Sequence, residues 1–165
     1  MNIVLIGFMA CGKTTIGNAL SKKTSMELLD TDSEIVKQQG ISINEIFDTK
    51  GEAYFRKLES DIVCELSKTI DNTIISTGGG LPITDGNDVL LKELGKVVYL
   101  TVTKETVLKR IEGDSSRPLL AGDAKTKTEN LLKFREPKYE KAADIIISTD
   151  DKSVDDIVEE IIKKL

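Results

Sequence analysis

Short apolar runs alternate along the chain with longer segments whose apolar residues recur at helical spacing. The apolar runs predict five strands, at residues 3–6, 27–29, 73–76, 96–102 and 143–147. The segments between and after them predict helices at residues 15–23, 32–39, 43–47, 51–69, 85–94, 104–111, 125–141 and 154–165, the seventh interrupted or shifted by Pro137. This alternation predicts an α/β fold, a parallel sheet covered by helices on both faces. Ligands of such sheets bind at the carboxyl ends of the strands.

Composition narrows the class of protein. The 165 residues suggest a single domain spanning 1–165, and the net charge of −5 argues against binding to nucleic acid or to an anionic membrane. The chain has no histidine, which excludes a histidine base, a histidine-ligated metal and a Ser-His-Asp triad. Cys11 and Cys64 match no zinc or redox pattern. Because no apolar run could span a membrane and no cation precedes Lys13 as in a signal peptide, we expect a cytoplasmic protein.

Residues 7–14 (GFMACGKT) fit the phosphate-binding pattern G-x-x-x-x-G-K-[ST]. They lie between the first predicted strand and the first predicted helix, which is the context that the motif requires. In such a loop Lys13 reaches the β- and γ-phosphates, and the Thr14 hydroxyl ligates Mg²⁺. The alternative, a plain glycine-rich turn, is far less favoured once all fixed positions match. The residues expected to bind ATP here are Ala10, Cys11, Gly12, Lys13, Thr14 and Thr15.

Two carboxylates, Asp30 and Asp32, follow the second predicted strand and should face the same sheet edge as the phosphate loop. One of them could hold Mg²⁺, through water, because Mg²⁺ dehydrates reluctantly. The other could orient or deprotonate an attacking hydroxyl. The alternative is that Asp32 or Thr31 only caps the next helix. Alone the Asp-x-Asp pattern does not decide between these readings, but behind a phosphate loop it favours the site.

Three glycines, Gly78, Gly79 and Gly80, come directly after the third predicted strand. Consecutive glycines expose backbone N–H groups and let a ligand approach closely. The alternative is a flexible turn, which the nearby Pro82 favours. The position at the carboxyl end of a strand favours contact with a ligand.

Only four arginines occur in the chain, Arg56, Arg110, Arg117 and Arg135. Arginine makes two-pronged contacts with carboxylate and phosphate that lysine cannot make. For any one of them, a surface ion pair with a nearby glutamate is the simpler interpretation. Arg117 lies in the Gly-, Ser- and Asp-rich segment 112–123, which we interpret as a mobile lid rather than a plain surface loop.

Taken together, these motifs resemble those of the shikimate kinase family over essentially the whole chain. The resemblance rests on residues 7–17, Asp30-Thr31-Asp32, Phe55-Arg56-x-x-Glu59, Gly78-Gly79-Gly80, Arg117-Pro118-Leu119-Leu120 and Arg135-x-x-x-Tyr139. It implies a P-loop kinase fold like that of the nucleoside monophosphate kinases, with five parallel strands in the order 2-3-1-4-5 and a mobile lid. It also implies ATP-dependent phosphorylation of the 3-hydroxyl of shikimate, in the pathway to chorismate and the aromatic amino acids, by a monomer.

The resemblance assigns a substrate-binding region at residues 32–60 and roles to particular side chains. Arginines matching Arg56 and Arg135 clamp the shikimate carboxylate, and an aspartate matching Asp32 contacts the ring hydroxyls. Glu59 resembles the partner that orients Arg56. The implied substrate-binding residues are Asp32, Phe55, Arg56, Gly78, Gly79, Gly80 and Arg135.

At the nucleotide end, the resemblance implies that Arg117 reaches the transferring phosphate and that Arg110 flanks the adenine. The implied catalytic residues are Lys13, Asp32 and Arg117, with Thr14 and Asp30 as the metal-binding pair. These roles agree with the chemistry of phosphoryl transfer, which depends on positioning and on charge stabilisation.

The sequence departs from the family pattern at two places. Cys11 stands where small residues such as Ser or Ala are common, and its thiol is expected near the bound phosphate, which suggests sensitivity to oxidation. Residues 147–153 contain no arginine to stack on adenine, only Lys152.

Four other functions compete with this interpretation. Gluconate kinase is the nearest rival, and substrate assays would separate the two enzymes. A nucleoside monophosphate kinase fits the arginines less well, because they suit one carboxylate better than a phosphate and a base. A GTP-driven switch lacks its Asp-x-x-Gly and Asn-Lys-x-Asp motifs. A silent binding module is disfavoured by the intact Lys13, Thr14, Asp30, Asp32 and Arg117.

Overall fold

The computed structural model describes residues 1–112 and 123–165. Within these ranges the strands are β1 (Ile3–Ile6), β2 (Glu27–Asp30), β3 (Thr73–Ser76), β4 (Lys96–Thr101) and β5 (Ile145–Ser148). The helices are α1 (Lys13–Thr24), α2 (Thr31–Gln39), α3 (Ile43–Lys50), α4 (Glu52–Thr69), α5 (Asn87–Leu94), α6 (Lys104–Ile111), α7 (Ala124–Ala142) and α8 (Val154–Lys164), and Leu81–Ile83 forms a 3₁₀ turn. Most of the predicted lid, residues 113–122, lies outside the described residues.

The five strands form one parallel sheet in the order β2-β3-β1-β4-β5, which confirms the predicted fold class and strand order. Helices α1 and α8 pack together on one face, and α4, α5 and α7 lie on the other. Right-handed crossovers require this distribution. The connection from β1 to β2 runs one way across the sheet and places α1 on one face. The later connections run the other way and place their helices on the opposite face, and after β5 the chain comes back to pack α8 beside α1.

The central strands are apolar because both of their faces are covered. All four residues of β1 and all four of β3 are buried. The pairing register brings the carboxyl ends of three strands together: Ser76 of β3 is paired with Leu5 of β1 on one side and with Asp30 of β2 on the other. The phosphate loop, the aspartates after β2 and the glycines after β3 therefore leave the sheet next to one another.

The structure differs from the sequence-based boundaries at several helix ends. Helix α1 begins at Lys13 instead of residue 15, and α5 begins at Asn87 because Gly86 precedes it with a left-handed φ of 88°. The 3₁₀ turn after the glycines was not predicted, since Gly-Gly-Leu-Pro is typical of a loop.

Helix α7 continues through Pro137, where an interruption or shift was expected. Its buried face carries Leu132 and Arg135 before the proline and Tyr139 after it. Packing on both sides of Pro137 therefore outweighs the loss of one backbone hydrogen bond.

None of the helices in residues 1–112 and 123–165 is both long enough and apolar enough to cross a membrane.

Candidate active site

The phosphate loop joins β1 to α1 and is built on unusual backbone geometry. Gly7 has a φ of 150°, and a Cβ there would lie 2.6 Å from the Leu100 carbonyl oxygen. Gly12, immediately before α1, has a left-handed φ of 94°, and Ala10 also has a positive φ of 59°. These conformations turn the chain sharply at the N-terminus of α1, where N–H groups and the helix dipole favour an anion.

Lys13, the first residue of α1, folds back over the loop. Its ammonium donates hydrogen bonds to the carbonyl oxygens of Gly7 at 2.8 Å and Phe8 at 3.0 Å. From α6, Arg110 donates to the Ala10 carbonyl oxygen at 2.7 Å. Two cationic side chains therefore lie on the loop itself, where they can attract an anion.

Cys11 belongs to the loop that lines the cleft, and the expectation that its thiol lies near bound phosphate stays a prediction. The residue is fully buried, and its Sγ would be 2.8 Å from a Cβ at Gly7. The Lys13 ammonium donates to this Sγ at 3.6 Å. The loop turns the Cys11 side chain into the core beneath Gly7, so the thiol lacks the exposure that oxidation requires.

The two aspartates after β2 have different environments. The Asp30 carboxylate accepts from the Ser33 N–H at 3.0 Å and caps α2, so the helix cap is Asp30 rather than Thr31 or Asp32. Asp32 has a buried Oδ1 with no hydrogen-bond partner among the described residues. Burial and the nearby Asp30 raise the pKa of Asp32, while Lys13 and Arg56 oppose the rise. An unpaired carboxylate oxygen of raised basicity is suited to accept a proton, or a hydrogen bond from a hydroxyl group.

The three glycines after β3 lie under the charged side chains. A Cβ at Gly78 would be 2.8 Å from Asp32 Oδ1 and 3.0 Å from Glu59 Oε1, so both carboxylates face this residue. A Cβ at Gly80 would overlap the Arg56 guanidinium, with Cζ and Nη2 both at 2.5 Å. A Cβ at Gly78 or Gly80 would crowd these groups, whereas Gly79 has ordinary space, so close approach explains two of the three glycines.

Arg56 and Glu59 form a buried ion pair on α4. Arg56 Nη1 donates to Glu59 Oε2 at 2.7 Å, and the Glu59 side chain is 1% exposed. A more exposed contact joins Arg56 to Glu52 at 3.3 Å. Burial raises the pKa of Glu59 to about 7, opposed by Arg56. Glu59 therefore orients Arg56, in agreement with the predicted pairing.

Arg135 reaches the same region from α7 and is almost fully buried. Its guanidinium carbon lies 5.7 Å from the centre of the Phe8 ring, and its Nε has no partner among the described residues. One turn later, the Tyr139 hydroxyl donates to the Gly79 carbonyl oxygen at 2.6 Å. A buried guanidinium with unused donor capacity is suited to bind an anionic group.

Two neighbouring cavities contain most of the predicted residues. The larger, about 610 Å³, is lined by the phosphate loop together with Asp30, Asp32, Gly78, Gly79 and Arg110. The second, about 450 Å³, is lined by Arg56 and Arg135. Gly79 connects them, since it lines the first and a Cβ there would lie 3.5 Å from Arg135 Nη1.

Two predicted residues of the described ranges, Phe55 and Gly80, line neither cavity. Phe55 is buried and packs on Phe47 at 4.9 Å between ring centres, so it supports the second cavity from behind. Arg117 lies outside the described residues. Lys152 lines the larger cavity, but its ammonium is paired with Glu160 at 2.6 Å.

Sequence reasoning missed several residues of the second cavity. These are Lys127, Asn130, Leu131 and Phe134, whereas Phe47 and Glu52 fall within the predicted substrate-binding region. Lys127 and Leu131 precede Arg135 by eight and four residues on α7, a helical spacing that could have identified them.

The fold and the phosphate loop define a P-loop phosphotransferase, with a cavity lined by Arg56 and Arg135 beside the loop. The family model of shikimate kinase matches residues 9–165. The shikimate kinase of Caldicellulosiruptor bescii is 45% identical over 150 residues, 90% of this chain and 86% of the relative. That of Francisella philomiragia is 42% identical over 161 residues, 97% of this chain and 92% of the relative. The chain belongs to the shikimate kinase family.

Solved structures agree with this assignment. Shikimate kinase from Acinetobacter baumannii, in complex with shikimate, superposes with a TM-score of 0.91 at 36% identity, over 99% of this chain and 91% of that one. A gluconokinase from Sinorhizobium meliloti reaches 0.61 at 14% identity, over 96% of this chain and 87% of that one, which shows a common fold alone.

Proposed function

We propose that this shikimate kinase transfers the γ-phosphoryl group of ATP to the 3-hydroxyl of shikimate. The observation that supports the proposal is the proximity of two cavities near Gly79, one lined by the phosphate loop and Asp32, the other by Arg56 and Arg135. An acceptor that has a carboxylate at one end and hydroxyls at the other matches this arrangement. The relative from A. baumannii was solved with shikimate bound, which supports the same acceptor here.

At the acceptor end, Arg56 and Arg135 bind the shikimate carboxylate. Both guanidiniums are largely removed from water, which strengthens a charge-assisted hydrogen bond. Glu59 holds Arg56 at 2.7 Å and so fixes one arm of the clamp before the substrate arrives. The backbone of Gly79 and Gly80 contacts the ring.

At the reacting end, Asp32 orients the 3-hydroxyl and accepts its proton. Its Oδ1, which has no hydrogen-bond partner among the described residues, and its raised pKa suit a group that must gain a proton during phosphoryl transfer. Lys13 leaves the loop carbonyls to contact the β- and γ-phosphates, and Arg117 adds charge from the segment that the sequence identifies as a lid. Closure of that segment would exclude water and suppress ATP hydrolysis.

Magnesium fits the donor groups in the larger cavity. Thr14 supplies a hydroxyl at the start of α1, and the Asp30 carboxylate retains acceptor capacity after capping α2. No cluster of three or more acidic, cysteine or histidine ligands exists in residues 1–112 and 123–165, so most ligands would be phosphate oxygens and water. When bound there, Mg²⁺ neutralises charge that develops on the phosphates.

Product analysis and one variant test this proposal. Proton and phosphorus NMR of the product should locate the new phosphate at the 3-position, and omission of Mg²⁺ should abolish its formation. Arg135→Ala should raise the shikimate KM by roughly 10- to 100-fold, the value of a charge-assisted hydrogen bond, while the ATP KM stays within about twofold. An unchanged shikimate KM would contradict the clamp. A monomeric state and a cytoplasmic location remain predictions from the sequence.

A further inference from the structure

Tyr139 connects α7 to the glycine segment through a single short contact. Its hydroxyl donates to the Gly79 carbonyl oxygen at 2.6 Å, and the side chain is fully buried. Arg135 lies one helical turn earlier on the same buried face of α7. The helix that carries the acceptor-binding arginine is therefore also bonded to the backbone beneath the acceptor.

With this contact, the carbonyl oxygen of each of the three glycines accepts a hydrogen bond. The Gly78 carbonyl oxygen accepts from the Leu81 N–H at 3.1 Å, and the Gly80 carbonyl oxygen accepts from the Ile83 N–H at 3.3 Å. The Gly79 carbonyl between them faces α7 and is bound by Tyr139. Three consecutive glycines have more conformational freedom than any other tripeptide, so each anchored carbonyl fixes one peptide plane.

The direction of that plane determines where a donor points. In a trans peptide the N–H of Gly80 points opposite to the carbonyl of Gly79. In the part of the chain that the structure describes, the N–H of Gly78 is bound by the Thr31 hydroxyl at 3.2 Å, whereas the N–H groups of Gly79 and Gly80 have no partner. Since the Tyr139 hydroxyl holds the Gly79 carbonyl, the Gly80 N–H points away from that hydroxyl.

We propose that Tyr139 is a positioning residue for the acceptor substrate. It fixes the Gly79–Gly80 peptide so that its N–H donates to shikimate, and it keeps that peptide in register with the Arg135 guanidinium. The inference rests on the proposed function of the two cavities and extends it to a residue that lines neither of them.

Tyr139→Phe is the test, with Tyr99→Phe as the matched control. The two rings pack at 5.1 Å between centres and both residues are buried. Only the Tyr139 hydroxyl has a hydrogen-bond partner among the described residues. Each variant deletes one hydroxyl from the same aromatic pair, so a general loosening of the core would affect both variants similarly.

Initial rates with shikimate varied, and separately with ATP varied, distinguish positioning from a structural role. Tyr139→Phe should raise the shikimate KM about tenfold, the value of one buried hydrogen bond, and leave the ATP KM within about twofold. Calorimetric titration of shikimate without nucleotide should give the same loss of affinity. Tyr99→Phe should leave the shikimate KM within about twofold.

Three results would overturn the inference. One is a shikimate KM that Tyr139→Phe leaves unchanged while the melting temperature falls. Another is an equal rise in the KM of both substrates. The third is an equal effect of Tyr99→Phe. If the wild-type protein has no shikimate-dependent turnover, the proposed function fails and the inference fails with it, which is distinct from failure in the variant alone.

Discussion

Gly80→Ala tests whether the glycine segment exists to accommodate the acceptor-binding arginine. Gly80 has φ −88° and ψ −13°, a conformation that alanine adopts without strain. The added Cβ would nevertheless lie 2.5 Å from both Cζ and Nη2 of Arg56, against about 3.5–4.0 Å for an ordinary contact between such atoms. The guanidinium must therefore move by about 1 Å or more, and it is the flexible partner.

The size of the effect follows from what that movement breaks. The displaced guanidinium breaks its contact with Glu59, which is 2.7 Å long, and is no longer oriented toward the acceptor carboxylate. One charge-assisted hydrogen bond contributes about 1.5–3 kcal/mol, which corresponds to a rise in the shikimate KM of roughly 10- to 150-fold. The free energy of unfolding should also fall, because Glu59, at 1% exposure, is left without its buried ion-pair partner.

The assay is steady-state ADP release with each substrate varied in turn. Gly79→Ala is the matched comparison and should have a clearly smaller effect, because its nearest neighbour, Arg135 Nη1, would be at an ordinary 3.5 Å. In an Arg56→Ala background, Gly80→Ala should add less than about a twofold change, since the group it displaces is gone. An unchanged shikimate KM in Gly80→Ala, or a full additional effect in the Arg56→Ala background, would refute the reasoning.

Three further changes test the charges of the site. Lys13→Ala should lower kcat by roughly 10²- to 10³-fold, measured as ADP release, because it removes charge from the transferring phosphate; an activity loss below tenfold would contradict that role. Asp32→Asn should lower kcat by about 10²-fold or more while the melting temperature stays equal or rises, because it removes a buried carboxylate with an unpaired oxygen; a lower melting temperature would contradict this account. Glu59→Gln tests the pKa of Glu59, which burial raises from 4.5 to about 7. Between these two pH values the folded chain keeps a proton on Glu59 that the unfolded chain loses. The contribution of Glu59 to the free energy of unfolding therefore falls as pH rises from about 4.5 to 7. In urea unfolding the free energy of unfolding of the wild type should fall by at most ~3 kcal/mol over this pH range, and Glu59→Gln should lack this decrease. A rise with pH in the wild type would mean that the ion pair with Arg56 outweighs the burial of Glu59.

The strands, their order and the helices could be predicted because each element has a strong local signal. Fully buried β1 is a continuous apolar run, β3 has two isoleucines between Thr73 and Ser76, and the 3.6-residue spacing of apolar residues in α4 is regular. The helix starts were less accurate, since α1 begins inside the phosphate loop and α5 begins after the left-handed Gly86. The course of α7 through Pro137 depends on packing far away in sequence, which local propensity does not report.

The candidate site was predictable where a residue's chemistry is encoded in a motif, as in Lys13, Asp32, Arg56 and Arg135. Properties that depend on orientation were not predictable. The sequence could not tell that Asp30 rather than Asp32 caps α2, or that the loop turns the Cys11 thiol into the core. Both facts follow from side-chain direction, which changes with small differences in backbone angle.

The most direct test of the central claim is ADP release from ATP and Mg²⁺ in the presence of shikimate, of gluconate, or of no acceptor. The account predicts rapid turnover with shikimate and little in the other two reactions, because Arg56, Arg135 and Asp32 together match a carboxylate and ring hydroxyls. Turnover with gluconate instead would keep the phosphate-loop mechanism and contradict the assigned acceptor. No acceptor-dependent turnover in a folded, ATP-binding protein would contradict the proposed reaction itself.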